Sequence, residues 1–598
     1  MTAPENSRRQ QALDRRIAAA KLAYSRPHAE QRANGEELKY RFDEPGTDRG
    51  AKASHLSNYT KGLPHDEKDG LICNPDDYQK FVRGIDSGDA RDFQDTPLGP
   101  KGTTCDQPIE WKSQYTRAQN TPDQKIDVRA WESAGAGLVF DLEGPDAQSL
   151  AMPPAPTIDS AEFVAEVAEV YEMALLRDVP FTDFETDPSV AAALSRLNNL
   201  DWFQETRLSL SDDAIARRRG QLTPQNAFRG TAFGDTEGPY ISQFLCRGTP
   251  ELGNDRDGVL DGLVAYGAMV FDNKVRVATP NRDYMTTWEW WLDVQNGADL
   301  RGQETYEAEG GKYRFIATPR DLATYVHYDA LYQAYLNACL AMMAMKVPFD
   351  PGVPFQERDA IDHQQGFAHF GGPHILSLVT EVATRALKAV RYQKFNVHRR
   401  LRPEAIAGRI HQWRNTQLPA LSPVAELSSQ ISDTLHKVAL HNKAQNESYR
   451  TELGHSSYEF DRDDVYLLPM AFAEGSPMHP AYGAGHATVA GACVTILKAF
   501  FDHGHVLPQP YVVSTDGQAL TSVQDRPLAL TVEGELNKLA SNISIGRDWA
   551  GVHYFTDYYE SARMGEQIAL GILAEQKLTY GENFSMTVPL FDGGCVRI

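Results

Sequence analysis

Three stretches far apart in this 598-residue chain carry side chains that can hold and act on an anion. The first, KFNVHRRLRPE at 394–404, places the cations Lys394, Arg399, Arg400 and Arg402 within nine residues. Taken alone, such a run is typical of a solvated basic face or a row of salt bridges, and nucleic-acid contact is a further alternative.

The second stretch, SPMHPAYGAGHATVAGACVTILKAFF at 476–501, places Gly483 and Gly485 before His486 and an apolar helical run. The first turn of a helix has free backbone N–H groups, and the helix dipole adds positive potential there. This start is therefore suited to an oxyanion. A glycine turn beside a histidine that is satisfied by its neighbours is the structural alternative.

The third stretch, SIGRDWAGVHYFTDYYE at 544–560, contains Arg547, His553 and Asp557. Because Asp557 follows His553 by four residues, we expect both on one helical face. The carboxylate can then hold one imidazole nitrogen, which leaves the other as a ligand or nucleophile. A surface arginine and a capped core histidine would give the same text.

Together, the three stretches supply arginines, a lysine, helix-start amides and two histidines. Arginine forks hold pairs of oxygens, and lysine supplies a point charge. One histidine can bond the central atom, while the other transfers protons at the opposite side. The set predicts a site for a tetrahedral or trigonal-bipyramidal oxyanion.

Helical periodicity dominates the chain after Pro156 and predicts a mainly α fold of packed bundles. Asp159 and Glu162 suggest a capping box at its first helix. Two strand-like segments predict one small hairpin. The other helical segments are 188–199, 321–346, 375–392, 423–446, 485–502 and 558–577, and the hairpin segments are 274–280 and 312–319.

The predicted organisation is an irregular, polar arm over 1–157 that wraps the core, a first helical bundle over 158–350 and a second bundle over 351–598. The second bundle carries the oxyanion site, and the parts are expected to form one compact body. Cys73 and Cys105 could bridge within the arm or between chains.

The formal net charge of −22 disfavours nucleic acid or an anionic membrane as a partner. The sequence shows neither a signal peptide nor an apolar run of about 18 residues, the length that a membrane helix needs. A soluble protein, cytoplasmic by default, is expected.

The order Lys…Arg-Pro, Gly-His and Arg-x5-His-x3-Asp resembles the signature shared by vanadium-dependent haloperoxidases and related acid phosphatases. The stretches at 394–404, 479–503 and 544–561 are most similar to the bromoperoxidases of red algae and cyanobacteria. This resemblance implies the haloperoxidase fold and an enzyme that uses hydrogen peroxide to oxidise bromide, or iodide or chloride, to hypohalous acid. Small organic compounds would be halogenated, and the chain would form a homodimer or larger homo-oligomer.

Two other functions remain open. An acid phosphatase would use the same pocket with His553 as nucleophile and His486 as general acid. A non-catalytic protein would sequester oxyanions or build a shell.

The resemblance also implies roles for individual residues. His553 would bond vanadium through Nε2, His486 would act as acid–base at the apical oxygen, and Lys394 would polarise peroxide. Four groups would hold the oxygens of one vanadate per subunit: Lys394, Arg402, Arg547 and the amide of Gly485.

Two positions depart from the family pattern. Ala484 stands where the family usually has serine, so a hydroxyl donor is lost. Gln393 stands where algal relatives tend to carry arginine near the halide. His479 matches a second pocket histidine, so His479 and Gln393 are the candidate halide-pocket residues.

The loop FQERDAIDHQ at 355–364 offers hard oxygen ligands that suit Ca²⁺. By the same resemblance it is a structural calcium loop, and a solvated acidic loop is the alternative. The implied ligands are the backbone oxygen of Phe355 and the side chains of Glu357, Asp359, Asp362 and Gln364.

Overall fold

The computed structural model describes residues 5–103, 107–120, 125–204, 210–250, 258–307, 312–356, 363–454, 464–523 and 529–598. Within these ranges the chain forms eighteen α-helices and four two-stranded antiparallel sheets, which confirms the mainly α prediction. The helices are α1 (Glu5–Ser25), α2 (Pro75–Ser87), α3 (Ala90–Gln94), α4 (Gln114–Gln119), α5 (Ala161–Leu175), α6 (Pro188–Asn198), α7 (Asp212–Arg217), α8 (Gly258–Asp261), α9 (Trp288–Gln295), α10 (Pro319–Tyr328), α11 (Gln333–Ala344), α12 (Gly372–Tyr392), α13 (Pro403–Thr416), α14 (Ala425–Gln430), α15 (Ser432–Leu453), α16 (Gly485–Phe500), α17 (Val532–Trp549) and α18 (Phe555–Lys577).

The strands are short and lie at the edges of the helical body. The two predicted strand segments do pair, since Val275 lies opposite Arg314, but α9 lies between them in the chain. They therefore form a two-stranded antiparallel sheet rather than the predicted hairpin. Three other strand pairs carried too few alternating residues to be recognised in the sequence. The strands are β1 (Leu263–Tyr266), β2 (Met269–Asp272), β3 (Val275–Arg276), β4 (Tyr313–Arg314), β5 (Tyr511–Val513), β6 (Leu520–Ser522), β7 (Thr587–Pro589) and β8 (Cys595–Arg597).

The start of α5 differs from the predicted capping box. The N-cap is Ser160, whose Oγ accepts a hydrogen bond from the amide of Phe163 at 3.1 Å. A cap must directly precede the first helical residue, and Asp159 lies one residue too early. Asp159 instead pairs with Lys39 at 3.0 Å, and Glu162 pairs with Arg217.

Helix α16 lies at the centre of the fold, against α12, α17 and α18. All its residues except His486 are buried, which matches a helix that is apolar on every side. A Cβ added at Gly491 would lie 1.9 Å from the carbonyl oxygen of Ala562, and one at Gly565 would lie 2.0 Å from that of Thr488. These glycines let the backbones of α16 and α18 approach closely.

The N-terminal region packs against the helices that follow it. Lys61 Nζ donates to Glu404 Oε1 at 2.8 Å, and Arg399 pairs with Glu37 at 2.8 Å. The proposed division at 157 and 350 stays a prediction. Among the described residues, the helices are all too short or too polar to cross a membrane.

Candidate oxyanion-binding site

The residues singled out in the three stretches lie at helix ends. Lys394 lies on a π-helical turn, Gln393–His398, that follows α12, and such turns often occur at functional sites. Arg402 is the N-cap of α13, Arg547 lies in the last turn of α17, and Gly485 begins α16. The ends of four helices therefore build the oxyanion site.

His553 is held by Asp557, but for a different reason than the sequence spacing suggested. Its Nδ1 lies 2.8 Å from Asp557 Oδ2. Because α18 begins only at Phe555, the two residues do not share a helical face, and this part of the prediction was wrong. Asp557 is the third helical residue and also accepts the amide of Tyr554 at 3.2 Å, as in a capping box.

The Nε2 atom of His553 faces positive charge. It lies 2.9 Å from Arg402 Nη1. Burial and the neighbouring charges of Arg402 and Lys394 hold the pKa of His553 well below its ordinary range. The ring is therefore neutral, with the proton on Nδ1 towards Asp557 and a lone pair on Nε2.

Three buried cations have no carboxylate within ion-pair distance among the described residues. Lys394, Arg402 and Arg547 are 0%, 1% and 5% exposed. Lys394 Nζ donates to the carbonyls of Pro480 and Ala481, at 2.8 and 3.2 Å. Burying a charge without a counter-ion is costly, so these side chains form a site that an anion would stabilise.

The two arginines of this group are also oriented by carbonyl groups. Arg402 donates to the carbonyls of His479 and Val552, at 2.9 and 2.7 Å. Arg547 Nη1 donates to the carbonyl of Val326 at 2.8 Å, while its Nε is buried without a partner among the described residues. Backbone atoms therefore fix both guanidinium groups and leave donors unused.

The other two cations of 394–404 fit the salt-bridge alternative. Arg400 pairs with Glu166 and Asp557, both at 2.8 Å, and Arg399 pairs with Glu37. Sequence alone could not separate the paired cations from the unpaired ones, because every partner carboxylate is distant in the chain.

The charges of the site depress each other's pKa values. Burial, followed by the charge of Arg402, holds the pKa of Lys394 well below its ordinary value. Burial also lowers the pKa of Arg402 and of Arg547 to about 10. A bound anion would reverse these shifts, because an opposite charge favours the protonated forms.

His486 stands at the start of α16, and its Nε2 lies 3.0 Å from Asp329 Oδ1. Burial lowers its pKa, and the carboxylate of Asp329 opposes this shift. Asp329 follows α10 directly and was missed in the sequence, because a single acidic residue after a helix has no distinctive pattern. With Nε2–H donated to Asp329, Nδ1 is left to exchange protons.

The helix start beside His486 has no side-chain cap. Ala484 is the N-cap of α16, is buried, and offers no hydroxyl. Its own amide donates to Ser561 Oγ at 2.8 Å. The amide of Gly485 belongs to the first helical turn, where N–H groups lack intrahelical partners.

The two candidate halide residues have different surroundings. His479 Nδ1 lies 2.7 Å from Arg402 Nη2, and its Nε2 lies 3.3 Å from Glu132. Gln393 is fully buried, and its amide donates to Gln31 and to the carbonyl of Leu150. The structure thus brings His479 next to Arg402, whereas Gln393 contacts the N-terminal region.

Arg391 is a further cation that sequence analysis did not single out. Its Nη2 donates to Glu132 at 2.6 Å, while Nη1 is buried without a partner among the described residues. A Cβ added at Gly485 would lie 3.5 Å from this Nη1. Its position could have indicated it: Arg391 precedes Lys394 by one helical turn, and a regular helix would direct both side chains to the same side.

The predicted calcium loop cannot be compared with the structure. Glu357, Asp359 and Asp362 lie outside the described residues, as does Cys105 of the proposed disulfide. The calcium site and the Cys73–Cys105 pairing therefore stay predictions.

The helical fold and the buried cation cluster define a protein of the haloperoxidase type. Residues 453–579 match the family model of the VCPO second helical-bundle domain. The chain is 49% identical over 612 aligned residues to the vanadium-dependent bromoperoxidase of Corallina pilulifera, covering 99% of this chain and 98% of that protein. It is 30% identical to that of Ascophyllum nodosum, covering 100% and 93%.

A solved structure supports the same assignment. The homohexameric second vanadate-dependent bromoperoxidase of Ascophyllum nodosum superimposes with a TM-score of 0.79 at 27% identity, covering 99% of this chain and 91% of that one. The chain therefore belongs to the vanadium-dependent bromoperoxidase family.

Proposed function

We propose that this enzyme binds vanadate and oxidises bromide with hydrogen peroxide to hypobromous acid, which then halogenates small organic compounds. Iodide or chloride are further candidate halides. The single observation that carries the proposal is the group of three buried cations, Lys394, Arg402 and Arg547, without carboxylate partners among the described residues. Such a group fits an oxyanion with several negative oxygens.

In this proposal the chain's own residues divide the binding work. Lys394, Arg402 and Arg547 hold the oxygens together with the amide of Gly485. His553 offers its Nε2 lone pair to the vanadium atom, because Asp557 keeps the proton on Nδ1. When bound, vanadate supplies a Lewis acid that activates peroxide towards halide attack.

Proton transfer falls to His486. With Nε2 directed at Asp329, its Nδ1 takes up a proton from hydrogen peroxide and returns it as water forms. Lys394 places positive charge where the peroxide oxygens gain electron density, which is preorganised electrostatic stabilisation. His479, beside Arg402, and Gln393 are the candidate halide contacts, and Gln393 donates its amide to Gln31 and Leu150 rather than to a residue of the oxyanion site.

The test is bromination of a dye by the purified chain. We expect turnover only when vanadate, hydrogen peroxide and bromide are all present, and we expect His553→Ala to abolish it. Hydrolysis of a phosphate ester without any peroxide-dependent bromination would instead favour the phosphatase alternative, for which the relatives give no support.

We also propose that the chain forms a homo-oligomer. A relative is homohexameric, and Phe140 and Leu142, two residues apart in this chain, are 80% and 101% exposed. Exposed apolar side chains of this kind are candidates for contact with another subunit. Light scattering coupled to gel filtration would show a mass above the 66.5 kDa of one chain, whereas a monomer would contradict the proposal.

The calcium loop is proposed as a structural site. Metal analysis of the purified chain should give calcium that Asp359→Asn and Asp362→Asn remove, with lower thermal stability. Retention of all calcium in both variants would contradict it.

A further inference from the structure

A second group of ligand-type side chains lies outside the oxyanion site. The group consists of Glu304, His327 and Glu474. Each residue offers one ligand atom, and these three atoms lie within 4.8 Å of one another. His327 belongs to the last turn of α10, and its Nε2 lies 2.8 Å from Glu474 Oε1. The three residues come from separate segments, so the tertiary fold brings them together.

Two of these side chains, Glu304 and His327, are held in place by neighbours outside the group. The amide of Ala473 donates to Glu304 Oε1 at 3.1 Å, and the hydroxyl of Tyr328 donates to Oε2 at the same distance. The ring of His327 stacks on Phe472 with centroids 3.7 Å apart. Side chains that are already held in place lose little conformational freedom when they bind a metal ion.

The carboxylates of the group have no close arginine or lysine partner among the described residues, and Arg129 and Arg547 act on Glu474 only from beyond ion-pair distance. Glu474 is 4% exposed, and its Oε2 accepts no hydrogen bond from any of them. No lysine or arginine of the described chain forms an ion pair with Glu304 or Glu474, and His327 is the one basic side chain of that part of the chain within 4.0 Å. Two carboxylates side by side require a shared proton or a cation.

The close approach of the two carboxylates disfavours the ionised form of Glu304. Burial, together with the adjacent charge of Glu474, raises the pKa of Glu304 to about 8. A small cavity of about 10 Å³ lies beside the group, and the His327 side chain is partly exposed. Glu304 and His327 line this cavity together with Arg282 and Arg320, whereas Glu474 does not line it. Glu304 and His327 are therefore the ligands that an ion from solvent would meet first.

We propose that Glu304, His327 and Glu474 form a binding site for one divalent first-row transition-metal cation of the Mn²⁺ to Zn²⁺ series. One imidazole nitrogen with two carboxylate oxygens suits such ions better than Ca²⁺ or Mg²⁺, which prefer oxygen ligands alone. The site shares no ligand with the oxyanion site, which attracts anions, or with the loop at 355–364.

The site adjoins two contacts of the oxyanion region. The carbonyl of Val326, next to His327, accepts the hydrogen bond of Arg547, and Asp329 holds His486. A cation at His327 would therefore stabilise the end of α10 that fixes both residues. A metal at this position would have a structural role and would not take part in the reaction.

The experiment uses the full chain, loaded with vanadate and stripped of divalent cations with a chelator. Mn²⁺ is titrated and followed by electron paramagnetic resonance, Zn²⁺ is titrated by calorimetry, and Ca²⁺ serves as a comparison. We expect one Mn²⁺ or Zn²⁺ site that Glu304→Gln weakens by about 10- to 100-fold or more. Crystals soaked in Mn²⁺ should show anomalous scattering between the three side chains.

Two controls keep the result interpretable. Glu304→Gln removes a like-charge contact, so its metal-free melting temperature should not fall below that of the wild type. His441→Gln alters another histidine–carboxylate pair, His441 with Asp283 at 2.8 Å, and should leave Mn²⁺ affinity unchanged. Equal Mn²⁺ and Zn²⁺ binding in wild type and Glu304→Gln, or no binding beyond a Ca²⁺-competed site, would overturn the proposal.

Discussion

Ala484 stands at the point where the backbone enters the oxyanion site. It is buried, it caps α16 without a side-chain hydrogen bond, and the family usually has serine here. A serine hydroxyl at this position has two alternatives: it can donate to a bound oxyanion, or it can cap the helix.

Ala484→Ser distinguishes these alternatives. If the hydroxyl reaches the oxyanion, vanadate affinity should rise by about 1.5–3 kcal/mol, which is roughly tenfold or more. Calorimetric titration of vanadate measures this change. Unchanged affinity with a higher melting temperature would show that the hydroxyl caps α16 instead, a stabilisation of about 1 kcal/mol.

Lys394 allows a test of the charge balance. Burial, Arg402 and Arg391 hold its pKa well below the ordinary value in the free protein. A bound oxyanion raises that pKa again, so at a pH between the free and bound values binding draws a proton onto Lys394. Proton uptake, up to about one per site, is expected.

The measurement is vanadate calorimetry in buffers of different ionisation enthalpy. Lys394→Arg is the matched control, because arginine keeps its proton in both states. The variant should take up fewer protons than the wild type. The same proton number in both proteins would contradict a partly neutral Lys394 in the free site.

The sequence identified the cations and histidines of the oxyanion site, but it did not identify the carboxylates that contact them. Motif spacing singled out Lys394, Arg402 and Arg547. It could not predict that Asp329 contacts His486 or that Glu132 contacts Arg391, because both contacts join residues more than 150 positions apart. Long-range carboxylates leave no local pattern.

At the scale of elements, the site depends on how closely α16 and α18 pack. Gly491 faces the carbonyl oxygen of Ala562, and the N-terminal ends of these helices carry Gly485 and Asp557. Any separation of the two helices therefore moves the amide of Gly485 relative to Asp557 and the His553 ring that Asp557 holds.

Gly491→Ala should lower the melting temperature and weaken vanadate binding. The new Cβ would meet backbone, which cannot move aside, so overpacking should cost about 1–3 kcal/mol or more. Gly581→Ala is the control, since nothing lies within 4 Å of a Cβ there. Equal melting temperatures for both variants would show that α16 and α18 tolerate separation.

The helices themselves were largely predictable, and their boundaries were less so. Apolar periodicity located α6, α12, α16 and α18 within a few residues, because each buries a continuous face. The segment 321–346 divides into α10 and α11 at Asp329, whose backbone is extended. Nothing in the local sequence indicated that break. The break places Asp329 beside His486.

For the whole molecule, burial of neutral histidines makes stability depend on pH. Burial lowers the pKa of His65 and of His398 to about 3, from an ordinary value of 6.5. The unfolded chain binds protons on these rings below 6.5 whereas the folded chain does not. The stability that these neutral histidines contribute to the folded chain is thus complete above pH 6.5, and it is lost as the pH falls towards 3.

His65→Gln should reduce this acid sensitivity. From pH 7 to pH 5, His65 should account for about 2 kcal/mol of lost stability, as an upper estimate. The measurement is denaturant unfolding at both pH values, with exposed His28→Gln as control. An equal loss in wild type and His65→Gln would mean that His65 can be protonated without unfolding.

The N-terminal region forms ion pairs with later parts of the chain: Glu37, Lys61 and Glu132 pair with Arg399, Glu404 and Arg391. The polar composition predicted an arm over 1–157 that wraps the core, and that organisation stays a prediction. The sequence could not show that Glu132 would neighbour both Arg391 and His479, at the edge of the oxyanion site.

Crystals soaked in vanadate would show whether separate helix ends converge on an anion held against His553. We expect vanadium density bonded to His553 Nε2, with its oxygens contacting Lys394, Arg402 and Arg547. Vanadate bound elsewhere, or density at this site that persists unchanged in His553→Ala, would contradict this expectation.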